Sequence, residues 1–233
     1  MLVLSALVLQ AVLVPPVVPS VELIKAAMIE RLRGDVRRQI HGGTWTKERI
    51  DEDISDPLKP RVEHREQYAV WGDGVRMMQR KVIRDGKPQR DAPQPLPFFI
   101  DPALLARFEF NLAEPAEVPC DDHECWRLSF APRLGEVDVS DDPDRKMFSS
   151  SVGTLLVDKA TYAIIRAEGH MAVPYRSFLY DVLWSTVTIT QTMHNGVMVV
   201  STIEISFAYD PLFGGAKTKR RFYRTVGVSL PPS

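Results

Sequence analysis

The chain has 233 residues, 45% of them hydrophobic and 25% charged, with 29 Lys and Arg against 30 Asp and Glu for a net charge of -1. This is a globular composition, long enough for one domain of the sandwich or barrel kind. Near-neutral charge argues against nucleic acid as the main partner, because phosphate binding needs a basic surface or a large basic patch.

Leu2 to Val14 form an apolar run interrupted only by Ser5 and Gln10, followed by Pro15-Pro16 and then Pro19-Ser20. The pattern is that of a secretory signal peptide, so residues 1–20 are expected to be a leader and 21–233 a single exported domain, periplasmic or secreted. An uncleaved membrane anchor is the alternative, although the run is shorter than the about 20 apolar residues of a membrane span.

Glu22 to Ile40 has helical spacing, with Ile24, Met28, Leu32, Val36 and Ile40 recurring every fourth residue. Ser20 is placed to cap this helix, and Gly34, which costs about 1 kcal/mol relative to Ala in a helix interior, is a candidate early end. His41 to Pro60 is polar and irregular, which predicts a loop with one short strand at Thr44 to Thr46. Strand signals then begin. Val62 to Val70 and Val75 to Ile83 are separated by Gly72-Asp73-Gly74, and a second turn follows at Asp85-Gly86-Lys87-Pro88. Ala92 to Pro97 is an extended connection. Asp101-Pro102 starts a short helix through Leu105, with Asp as N-cap and Pro at the first helical position. Phe108, Phe110 and Leu112 alternate with polar residues, as do Trp126, Leu128 and Phe130, which predicts two half-buried strands.

Between these strands lie Cys120 and Cys125, in Cys-Asp-Asp-His-Glu-Cys. Export and an even cysteine count predict a disulfide between them. A metal site using Asp121, Asp122, His123, Glu124 and the thiols is the weaker alternative, since zinc normally takes four ligands and no second Cys or His pair lies nearby. Gly135 to Lys146 is acidic and reads as a solvated loop without the calcium-loop spacing.

Phe148 to Tyr209 predicts four consecutive antiparallel strands: Ser151 to Val157, Tyr162 to Met171, Val182 to Met193 and Val197 to Tyr209. The last two are joined by His194-Asn195-Gly196. A two-residue turn pairs Met193 with Met198 and sets Val187 opposite Glu204, which mixes the faces. A three-residue loop pairs Met193 with Val197 and gathers Leu183, Val187, Ile189, Met193, Val197, Val199, Ile203, Ile205 and Phe207 on one face, so it is the expected register. Lys217 to Val228 is a last strand, its Lys217-Thr218-Lys219-Arg220-Arg221 run protecting a sheet edge. Leu230 to Ser233 trails off.

No nucleophile elbow, phosphate loop, dinucleotide fingerprint or His-Glu-x-x-His helix is present. His41, His64, His123, His170 and His194 are scattered over loops and strand ends. The sequence therefore offers no support for an enzyme, a cofactor or a metal. The fold class is α+β, mainly β, built on an antiparallel sheet.

The order of features resembles the LolA/LolB-like fold of lipoprotein-sorting proteins. The resemblance rests on the leader, the helix Glu22 to Ile40, the strand pair ending in Arg84-Asp85-Gly86-Lys87-Pro88, the hairpin from Gly153 to Tyr162, and the meander to Val228. It implies a strongly curved, half-open barrel of antiparallel strands with helices over its concave face, and a cavity that takes acyl chains without cofactor or covalent chemistry. On this reading Leu183, Val187, Ile189, Ile203, Ile205 and Phe207 line an apolar cavity beneath the helix and the segment Ala103 to Leu105. The implied role is passive carriage of a lipid or other apolar ligand in the cell envelope. The alternative is a protein-binding or sensory module of the envelope.

Overall fold

The structure, a computed structural model, describes residues 18–96, 100, 102–121, 123–133, 150–176, 180–211 and 215–231. The apolar leader run, the Asp101 cap and the acidic segment 135–146 lie outside the described residues.

Helix α1 (Val21–Ile40) begins where Ser20 caps it, the Ser20 hydroxyl accepting a hydrogen bond from the Leu23 amide at 3.3 Å. Glu22 in the first turn and Arg37 and Arg38 in the last complement the helix dipole. Gly34 does not end the helix. Its buried stripe is Ile24, Met28, Leu32, Asp35 and Gln39, whereas the expected Val36 and Ile40 are half-buried. A spacing of four overshoots the 3.6-residue turn by about 40° per step, which carries the last two apolar residues off the stripe.

The described strands are β1 (Thr44–Asp53), β2 (Arg61–Gly72), β3 (Met77–Arg84), β4 (Lys87–Pro88), β5 (Gln94–Pro95), β6 (Phe108–Cys120), β7 (His123–Pro132), β8 (Ser151–Asp158), β9 (Ile164–Met171), β10 (Tyr175–Arg176), β11 (Tyr180–His194), β12 (Val197–Pro211) and β13 (Lys217–Ser229). Helix α2 (Pro102–Ala106) precedes β6. All pair antiparallel in one sheet of order β4-β3-β2-β1-β13-β12-β11-β9-β8-β7-β6, with β5 on β3 and β10 on β11. The two ends do not meet, so the sheet is open rather than a closed barrel. Helix α1, about 30 Å long, touches β2, β12 and β6. Those strands would span about 38 Å if the sheet were flat, so it curls toward the helix.

Three sequence expectations need correction. The segment expected to be a loop with a short strand at Thr44 to Thr46 holds a strand of ten residues, β1, which a high charge content disguised. Because β1 pairs with β13, the basic run of β13 is not at an edge but between β1 and β12. Its cations meet the carboxylates of β1, Lys219 reaching Asp53 at 3.0 Å and Arg221 reaching Asp51 at 3.0 Å.

The third correction is the β11–β12 turn. Met193 pairs with Met198, so the loop is the two-residue form, with Asn195 at φ 49° and Gly196 at φ 74°. The faces nevertheless match. A register shift beside Ser201 lets Val187 pair with Ile205 and Ile189 with Ile203, and the Ser201 hydroxyl fastens it by donating to the Thr190 carbonyl at 3.0 Å. The offset expected inside the turn is thus absorbed by a bulge in the strand. The same bulge turns Val197 and Val199 to the opposite face, where Leu230 covers them, so Leu230 does not trail off.

Two tests follow from this geometry. Gly196→Val should cost more than about 1 kcal/mol in a urea titration, because a β-branched residue is strained at positive φ, although its Cβ would meet only the end of the Arg38 side chain, at 3.7 Å. Cys120 and Cys125 form the expected disulfide, with Cα atoms 5.9 Å apart, and both are buried. Reduction should lower stability by about 2 kcal/mol, as a short closed loop predicts, measured by the same titration with and without reductant.

Candidate functional site

Directly paired residues share a face, so the ladders trace rows across the sheet. One row runs Leu112, Leu128, Leu155, Ala167, Ile189, Ile203, Tyr223, Arg49, Glu66, Arg84. The row beside it runs Phe110, Phe130, Gly153, Gly169, Val187, Ile205, Arg221, Asp51, His64. Both change from apolar to polar or charged between β12 and β13. One face of a single sheet is therefore divided into an apolar half and a charged half, and α1 lies over it.

In the apolar half, Ile24, Met28 and Leu32 of α1 pack with Leu105 of α2 onto Phe108, Phe110, Leu128, Leu155, Ile189 and Ile203. A cleft of about 30 Å³ remains beneath α2, lined by Ile100, Leu104, Leu105, Phe108, Phe130 and Ile189 among others, every one apolar. Gly153 and Gly169 face each other across the ladder. The Phe130 ring lies over Gly169, where an added Cβ would stand 3.2 Å from it, and meets Phe108 edge-on at 5.3 Å. The space is far below the several hundred Å³ of a small-ligand site, so the core here is largely filled.

In the charged half, Glu66 is 6% exposed and is shared by Lys81 at 2.8 Å, Arg49 at 3.5 Å and Arg84 at 3.6 Å. Burial opposes its ionisation, but hydrogen bonds from Lys81 and Tyr68 and the Arg49 charge outweigh that and hold the carboxyl below the ordinary glutamate range. Asp51 is held low in the same way, by Arg49 and Arg221 against burial. The Lys47 ammonium sits 4.6 Å from the Tyr68 ring centroid and 5.3 Å from that of Tyr223, and it donates to Gln79 Oε1. A second cavity, of about 40 Å³, opens beside Lys47, with Gln39, Trp45, Ile203 and Tyr223 in its wall.

The C-terminal half of α1 is tied to the β11–β12 hairpin. Arg31 donates to the Gly196 carbonyl at 2.7 Å, Arg38 to that of Asn195 at 3.1 Å, and Gln39 to that of Met198 at 2.7 Å. Asp35, 3.0 Å from Arg31, is buried beneath, and burial pushes its carboxyl above the usual range despite that partner.

Of the six residues expected to line a cavity, Val187, Ile189, Ile203, Ile205 and Phe207 come together in one apolar cluster. Leu183 does not: a register irregularity between Val182 and Trp184 takes it out of the row and leaves it 43% exposed. Met193, placed on the same face by the sequence, is 47% exposed. The apolar cleft is bounded by Ile189 alone of the six, the rest of its wall coming from Ile100, from α2 and from β6 to β9. The alternation of Phe108, Phe110 and Phe130 was the available signal for that wall. The charged half was missed because β1 was not recognised as a long strand.

Both thiols of the Cys120–Cys125 loop are engaged in the disulfide and cannot ligate a metal. Among the described residues no group of three or more His, Cys, Asp and Glu side chains is arranged to hold one. His64 lies 3.3 Å from Asp85, and His123 lies 3.5 Å from Asp158, which is spent on its own turn by accepting from the Ala160 and Thr161 amides. No described helix is long and apolar enough to cross a membrane.

Comparison with solved structures finds a LolA superfamily protein, NE2245 from Nitrosomonas europaea, similar over 90% of this chain and 94% of that one, with a TM-score of 0.41 and 10% identity. The architecture resembles the LolA-like fold. MucB in its complex with MucA(peri) is similar over 86% of this chain and 93% of that one, with a TM-score of 0.29 and 11% identity. A second structure, the MucA/MucB complex of Pseudomonas aeruginosa, gives the same TM-score and identity over 90% and 99%. Likeness at this level concerns the course of the chain and carries over no ligand, partner or residue role. No protein-family model matches the sequence, and no curated protein does.

The charged half makes its own prediction. Glu66→Gln should destabilise the protein by about 3 kcal/mol at neutral pH, since it leaves a cluster of half-buried cations without its central carboxylate. Because the folded pKa of Glu66 is depressed, its contribution is full above the ordinary value of 4.5 and fades as pH falls through the folded value. Urea titrations should therefore show the gap between wild type and Glu66→Gln closing in acid.

Proposed function

We propose that this is a non-catalytic binding protein of the cell envelope that takes an apolar chain, such as the acyl chain of a lipid, into the cleft beneath α2. The observation that carries this reading is the cleft wall, apolar throughout and continuous with the core, under a helix of only five residues. Binding sites for small ligands are mostly apolar concavities of several hundred Å³, so a chain enters here by displacing Leu104 and Leu105 and taking their place against Ile189 and Phe130. Each methylene transferred contributes about 0.8 kcal/mol, so a chain of about a dozen carbons gains about 10 kcal/mol gross. The displaced side chains and the ordering of the ligand subtract from this, which leaves micromolar affinity within reach. An envelope location is supported by the leader run and by the closed disulfide, a bond that persists in oxidising compartments.

A second reading, a protein-binding module, draws on Val173, Leu183 and Trp184, which are exposed around the β10–β11 pairing. Exposed Trp is enriched at interface hot spots.

A fluorescent fatty-acyl probe separates the two. In the acyl reading the wild type changes probe emission, Ile189→Asp abolishes the change while thermal unfolding confirms a folded protein, and Leu105→Ala tightens binding several-fold by emptying part of the cleft. Leu105→Ala should also cost about 2–5 kcal/mol of stability, as large-to-small core changes do. A folded wild type and Leu105→Ala that both leave the probe unchanged would remove the acyl reading and leave the exposed patch.

A further inference from the structure

We propose a second binding site, on the face of the sheet turned away from α1, that takes a small organic carboxylate with a short apolar body. Strand alternation puts Arg127, Leu156 and Arg166 on that face, since Leu128, Leu155 and Ala167 beside them point into the core. The three are directly paired across β7, β8 and β9, and Thr154 pairs with Glu168 in the neighbouring row. With Val118 of β6 these side chains border an open groove of about 290 Å³. The two cavities of the inner face measure about 30 Å³ and about 40 Å³. The outer groove alone approaches the several hundred Å³ of a small-ligand site without any side chain moving. The sheet itself separates it from the acyl cleft, so the two sites stand or fall independently.

The chemistry of the ligand follows from the side chains that border the groove. Three cations of β13 are matched by carboxylates of β1, Lys219 by Asp53, Arg220 by Glu52 and Arg224 by Glu48. Arg127 has no such partner. Among the described residues it makes one hydrogen bond, from Nη1 to the Glu114 carbonyl at 3.3 Å, and no ion pair. A carbonyl carries no net charge and occupies one of five guanidinium donors, which leaves the planar fork open to a carboxylate. Arg166 is already engaged by Glu168 at 2.6 Å. Arg127 and Arg166 against Glu168 leave the groove one positive charge, which a single carboxylate neutralises and a dianion exceeds. Leu156 and Val118, both half-buried, supply the apolar floor on which the body of the ligand lies.

The test is an NMR titration of the isotopically labelled protein with 4-methylpentanoate at neutral pH, following the methyl resonances of Val118 and Leu156. Both should shift along one saturating curve. The uncharged 4-methylpentanamide, of the same shape, should bind about tenfold more weakly, as loss of a charge-assisted hydrogen bond predicts. Acetate should also bind about tenfold more weakly, because it leaves Leu156 and Val118 uncovered. Arg127→Gln should abolish the preference for acid over amide while leaving the affinity for the amide unchanged. Arg127→Lys should keep part of that preference, since the charge remains and the fork is lost. Thermal unfolding of both variants checks that they are folded. Equal affinity for acid and amide, or resonances that stay in place at millimolar 4-methylpentanoate, overturns the site. Acetate binding as tightly as 4-methylpentanoate overturns it too, as a place for adventitious anions only. Tighter binding of 3-methylbutyl phosphate overturns the choice of a carboxylate, and tighter binding of N-acetylleucine overturns the small-molecule assignment in favour of a peptide C-terminus.

Discussion

The pairing of β13 between β1 and β12 is the constraint on which the rest of the structure depends. Two meanders, β1 to β4 and β6 to β12, are each built from neighbours in sequence, and β13 alone joins them into one sheet. The junction is marked by opposite charges set across the β1–β13 ladder: Lys219 on Asp53, Arg220 on Glu52, Arg221 on Asp51 and Arg224 on Glu48. The Arg224–Glu48 pair is exposed and contributes little, about 1 kcal/mol or less, whereas the other three are part-buried. Their stronger effect is on register, since a slip by one residue would set Arg220 beside Asp51 and turn every side chain of β13 to the other face.

Once the two meanders are joined, their different compositions become two halves of one surface. The strands β6 to β12 contribute Leu, Ile, Val and Phe to the inner face, and β13 with β1 to β3 contributes Arg, Lys, Glu and Tyr. Helix α1 changes in the same sense, burying Ile24, Met28 and Leu32 first and Asp35 and Gln39 later. Burying the polar residues would be costly without partners. Arg31 and the Met198 amide supply them for Asp35, and the Met198 carbonyl does so for Gln39. The helix that covers the face thus carries polar groups where it meets the hairpin, which ties its position to the β11–β12 turn.

Filling and opening are balanced in the apolar half by the smallness of α2. A five-residue helix makes few contacts of its own, and those it makes fall on α1 and β6. Elements with little buried area are those that open at low free-energy cost, which is where a ligand-exchanging cover would be expected. The sheet beneath it is the opposite, continuous from β4 to β6 and stitched through every neighbouring pair.

The sequence by itself determined the elements whose patterns are local. The α1 periodicity, its Ser20 cap, the alternation in β6 and β7, the presence of a turn at Asn195-Gly196 though not its length, and the nearness of Cys120 to Cys125 all act over a few residues, and each was legible from spacing alone. The requirement that Val187, Ile189, Ile203 and Ile205 share a face was legible too, because a period of two leaves no other way to bury them. Only the tertiary structure decided how that requirement is met, by a bulge at Ser201 and not by a longer loop, since either device shifts the register by one. It alone decided that β1 is a strand, because Lys47, Arg49 and Asp51 are half-buried between β2 and β13, the latter more than a hundred residues away, and a run of charged residues carries no local signature of that burial. The charged half of the candidate site was hidden for that reason. A pattern read along the chain reports what each residue does with its neighbours in sequence, and this half is assembled across β1, β2 and β3 and closed by β13, which the chain adds only at its end.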